Sequence, residues 1–66
     1  MNKTQTTTYD KLMRAWENSK ELVRDFQTYS NEMDDHELKQ VFKQFAEDEG
    51  MHATKLREII SSYQDK

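Results

Sequence analysis

Apolar residues recur at steps of three and four from Tyr9 onward: Leu12, Met13, Trp16, Val23 and Phe26, with Ser30 and Met33 continuing the series weakly. That spacing places them on one face of a helix. The series breaks across Asn31-Glu32-Met33-Asp34-Asp35. It resumes more cleanly as Leu38, Val41, Phe42, Phe45, Glu49, His52, Leu56, Ile59, Ile60 and Tyr63. At about 100° per residue this second set falls in a stripe roughly 100° wide. The pattern predicts a helix over about 8–30, a turn over about 31–35 and a helix over about 36–64. Residues 1–7 are polar and β-branched without apolar periodicity, and read as a flexible tail.

Local signals agree with those boundaries. Thr7-x-x-Asp10 and Asp34-x-x-Glu37 have the spacing of capping boxes, and Asn31 suits the left-handed position that ends a helix. Proline is absent and Gly50 is the only glycine, so few residues interrupt a long helix. Helices joined by a short turn become antiparallel neighbours. A single seam between them leaves Trp16, Phe26, Phe42 and Ile60 partly uncovered, and a second hairpin would bury that remainder. The expected fold is therefore all-α, an antiparallel two-helix hairpin that pairs with a second chain into a four-helix bundle. A two-fold homodimer is the default arrangement for such a pair.

Size and composition narrow the picture further. A chain of 66 residues lies at the lower limit of independent folding and needs a staple or a partner. There is no cysteine, which removes disulfides, thiolate metal sites and thiol nucleophiles, and fits a cytoplasmic address. Charged residues make up 35% of the chain with a net charge of -3, a surface suited neither to nucleic acid nor to an anionic membrane. No apolar run approaches the roughly 20 residues of a membrane span. No serine–histidine–acid set or glycine-rich phosphate loop is present.

The one chemically informative motif is Glu49-x-x-His52, whose spacing sends both side chains from the same helix face. That face is the apolar stripe, where an unpaired carboxylate costs several kcal/mol. A metal ion answers the problem, because carboxylate oxygen and neutral imidazole suit iron, manganese or zinc. Two copies across a dimer axis would supply two glutamates and two histidines. The alternative is an ion pair at Glu49 with His52 as a satisfied core histidine. In a hairpin turning near Asp34, Lys20 comes level with Glu49 and Trp16 with His52, so a Lys20–Glu49 pair would neutralise the charge without metal.

The stretch Val41-Phe42-Lys43-Gln44-Phe45-Ala46-Glu47-Asp48-Glu49-Gly50-Met51-His52-Ala53-Thr54-Lys55-Leu56 resembles the second helix of a rubrerythrin-type, ferritin-like hairpin. It has the apolar-aromatic lead, the alanine, the acidic pair ending in the ligand glutamate, the ligand histidine three residues on, and the alanine after it. The resemblance extends more weakly over residues 9 to 60. It implies a ferritin-like bundle, iron as cofactor, and oxidase, peroxidase or storage chemistry, with Glu49 and His52 as metal ligands. A ferritin-like hairpin also takes a glutamate from its first helix. Here Trp16 stands at that position, and Glu17 serves only with a one-residue shift and a rotated helix. The four-cysteine iron domain usual in rubrerythrins is missing, so redox turnover would need an external electron donor. The other reading keeps the fold as a metal-free interaction or scaffold module.

Overall fold

A computed structural model of the chain describes residues 7–64. Two helices pack against each other, α1 (Thr8–Glu32) and α2 (His36–Gln64), joined through Met33, Asp34 and Asp35. The tail expected over residues 1–7 lies outside the described residues except for Thr7, which caps α1. The Thr7 hydroxyl accepts from the Asp10 N–H at 3.0 Å, and the Asp10 carboxylate accepts from the Thr7 N–H at 3.4 Å. This reciprocal box satisfies donors that the first helical turn cannot pair internally.

At the other end of α1 two expectations are corrected. Asn31 is helical and no residue takes a positive φ among those described. The helix runs on to Glu32 and stops at Met33 in an extended conformation, φ -77 and ψ 134, whose N–H bonds the Ser30 carbonyl. The cap of α2 is Asp35, not Asp34: one Asp35 carboxylate oxygen accepts from the N–H groups of Glu37 and Leu38, at 2.8 and 3.3 Å. Both aspartates are chemically able to cap, and the turn presents the second.

Register is locked beside the turn by a reciprocal pair across the hairpin. The buried Ser30 hydroxyl donates to the Lys39 carbonyl at 2.9 Å, and the Lys39 ammonium donates to the Ser30 carbonyl at 3.0 Å. One layer further in, the rings of Phe26 and Phe42 stack with centroids 6.0 Å apart. Carried along the helices by alternate steps of four and three, this register sets Val23 level with Ala46, Ser19 with Glu49, Trp16 with Ala53, Leu12 with Leu56 and Tyr9 with Ile60. Each of these residues is buried or half-buried. A spacing of 3.5 residues is that of a coiled-coil seam, and in its middle layers Ala46, Ser19 and Ala53 are small residues facing larger ones.

The seam buries little by itself. Among the described residues the buried apolar side chains are Ala46 and Ile60, and no side chain is less than 2% exposed. Ile60, expected to be partly uncovered, is 7% exposed because it closes the seam at the end of α2. Much of the uncovered apolar surface lies one helical position to the side, apart from Met51 and Tyr63. Leu22 and Tyr29 on α1, and Leu38, Phe45 and Ile59 on α2, are between 37% and 47% exposed. With Ala15 and His52 these residues recur every seventh position, so both helices present them on one common face of the hairpin. The molecule is one helix thick, with a shortest extent of 12 Å, so that face has no second layer over it. Four rings cluster on it near the turn, with Phe26–Phe45 and Tyr29–Phe42 centroids both 5.6 Å apart.

Candidate functional site

Halfway along the open face, Glu49 and His52 stand on successive turns of α2. Glu49 occupies a seam position and its side chain is 20% exposed; His52 occupies the open stripe at 65%. The spacing of three brings them together: His52 Nδ1 lies 3.5 Å from a Glu49 carboxylate oxygen. With one partner so well solvated, such a contact contributes only a few tenths of a kcal/mol. It orients the pair more than it stabilises the fold.

The pair sits between two hollows of the same face. One, of ≈ 520 Å³, has Ser19 and Leu22 of α1 facing Glu49, His52 and Leu56 of α2. Asn18 and Lys55 stand at its edges. The other, of ≈ 330 Å³, runs toward the turn between Phe26, Phe45 and Asp48. Glu49 and His52 border both. Two potential metal donors and a second carboxylate, Asp48, therefore share one open groove.

Other expected members of the site lie elsewhere. Glu17 is exposed on α1 and borders neither hollow. Among the described residues no group of three or more histidines and carboxylates is placed to hold a metal ion. The Lys20–Glu49 pair is not formed. Lys20 is exposed and its ammonium lies 3.8 Å from the centroid of the Trp16 ring. The level was right but the side was not: Lys20 is on the hairpin edge away from the open face. A cation over an indole is worth about 0.5–1 kcal/mol at such a site.

The seam position level with Glu49 belongs instead to Ser19, which the apolar pattern passes over because serine is not apolar. Ser19 is 8% exposed. Its hydroxyl has no hydrogen-bond partner among the described residues. The signal available in the sequence was the unbroken step Leu12, Trp16, Ser19, Val23 with a small residue opposite a long one.

Compared with protein families, curated proteins and solved structures, the chain matches none. The likeness to a rubrerythrin-type hairpin therefore rests on the sequence pattern alone, chiefly that around Glu49 and His52.

Proposed function

We propose that this hairpin is a self-associating module, half of a four-helix bundle that a second copy completes by covering the open face. One observation carries the reading: large apolar side chains, Leu22, Tyr29, Leu38, Phe45 and Ile59, are repeated at heptad spacing on one uncovered face while the single chain buries almost no core. Removing such a stripe from water contributes about 25 cal/mol per Å². Contiguous exposed apolar surface of this kind marks an interface. A Leu22→Glu substitution places a charge in the centre of that interface and leaves the aromatic cluster intact. Association measured by light scattering should weaken by roughly a hundredfold or more, while circular dichroism keeps its helical signal. Unchanged association in that variant rules the surface out.

A second reading adds metal to the same interface, in the ferritin-like manner that the motif suggests. Glu49 and His52 are adjacent and border one groove, which favours it. A single chain does not offer a complete ligand set. Two copies would bring two Glu49 carboxylates, two His52 imidazoles and two Asp48 carboxylates to a shared centre. That donor set suits iron or another transition metal. When bound, the metal would supply redox or Lewis-acid chemistry, and the chain's residues would hold it and shield it from water. Anaerobic loading with Fe(II) followed by metal analysis should find about one iron per chain or per pair, lost in His52→Ala. The metal-free module predicts no retained iron and equal association with and without it.

A further inference from the structure

The open face has a direction. Along it the side chains differ between the turn half and the far half in size and in charge. The turn half carries Tyr29 level with Leu38, and Leu22 level with Phe45; the far half carries Ala15 level with His52, and Thr8 level with Ile59. On α1 the rim of the face runs Lys11, Asn18, Asp25 and Glu32 at seven-residue steps; on α2 it runs Val41, Asp48 and Lys55. The turn half of the rim is thus acidic, at Asp25 and Glu32, and the far half basic, at Lys11 and Lys55. Asp25 is half-buried. Asp25, Lys11 and Lys55 form no ion pair among the described residues.

Resting on the association reading above, we infer that the second copy docks on this face with its turn at the opposite end, about a two-fold axis that crosses the helices at the level of Glu49. That axis sets each α1 against the α1 of the other copy, and each α2 against the other α2. Leu22 then meets Ala15 of the second copy, Tyr29 meets its Thr8, Phe45 meets its His52, and Leu38 meets its Ile59, so on α1 the bulky residues fill the space above slim ones. Asp25 comes level with Lys11 of the second copy on the facing α1, and the two Asp25–Lys11 pairs related by the axis match four charges of the rim. The alternative two-fold axis runs along the bundle and puts both turns at the same end. It sets each α1 over the α2 of the other copy, stacks Tyr29 on Leu38 of the second copy, leaves a gap at Ala15, and brings Lys11 level with Lys55 of the second copy. Size and charge both favour the crossed axis, because packing must be filled without overcrowding and like charges set opposite each other select against a pairing. The same axis brings both Glu49–His52 pairs to the centre of the interface.

The chain has no cysteine, so a single introduced thiol labels one known position. Nitroxide labels on Glu47→Cys, at the level of the axis, and on Asp34→Cys, in the turn, separate the outcomes by pulsed dipolar spectroscopy. Both positions are exposed and make no hydrogen bond through their side chains. With a rise of ~1.5 Å per residue, the crossed axis holds two turn labels about 40 Å apart, whereas turns at the same end hold them within about 20 Å. Glu47 labels give an intermolecular distance in either arrangement. A Glu47 signal with turn labels about 40 Å apart is the expected result. A Glu47 signal with turn labels within about 20 Å overturns the direction but leaves association standing. No intermolecular signal at Glu47 overturns both.

Discussion

Glu49 occupies a seam position with most of its side chain out of water, level with a buried serine that has no hydrogen-bond partner among the described residues. Apolar residues of similar size would suit that place better in a hairpin that stood alone. The carboxylate is tolerated because it opens onto the uncovered face, where water and His52 solvate it. Covering the face takes that water away, so the midpoint is where a second copy, a proton or a cation matters most. Glycine one residue further on is a simpler case. A Cβ built at Gly50 meets nothing within 4 Å, and its backbone is ordinary helix. Gly50→Ala should therefore stabilise the chain by about 1 kcal/mol, roughly 5 °C in thermal unfolding followed by circular dichroism. Association should not change, because Gly50 lies on the edge away from the open face. A loss of stability or of association would mean that another helix approaches at this glycine.

At the scale of the elements, the turn separates two aspartates that sequence pattern alone treats as equal. Asp35→Ala removes both capping hydrogen bonds and should cost about 1 kcal/mol in denaturant unfolding; Asp34→Ala should stay within about 0.5 kcal/mol. Equal effects would contradict the cap. The existence and pairing of the two helices were legible because steps of three and four over more than six turns have no other cheap solution. The stripe on α2 was also legible, but as one band. The structure resolves it into a seam of Phe42, Glu49, Leu56 and Ile60 beside an open row of Leu38, Phe45, His52 and Ile59. Neighbouring positions on a helix differ by about 100°, so a wide stripe always serves more than one neighbour. On α1 the open row was hidden because its far members, Thr8 and Ala15, are small and leave only Leu22 and Tyr29 as large apolar residues. Ser30 was legible as a weak continuation of the α1 series, whereas Ser19 was hidden because a small polar residue can fill a seam when a long side chain faces it. Lys20 was read at the right level but lies one position past the seam residue Ser19, which turns its side chain over Trp16 and away from Glu49.

For the whole molecule, the described helices form a single layer, and none is long and apolar enough to cross a membrane. A core of alanine, one isoleucine and partly open aromatic rings is small for a chain at the lower limit of independent folding. The heptad stripe on the uncovered face offers the missing burial, and its sequence repeats the logic of the seam beside it. Whether iron or only water occupies the midpoint changes the chemistry of the assembly. It does not change the surface that makes it. The central claim is that one copy covers the open face of another, and sedimentation equilibrium across the micromolar range measures this directly. The account predicts a particle of twice the 8.0 kDa chain mass, falling toward that mass on dilution and at all concentrations in Leu22→Glu. A wild-type chain that sediments as a stable, fully helical 8.0 kDa monomer throughout that range would contradict it.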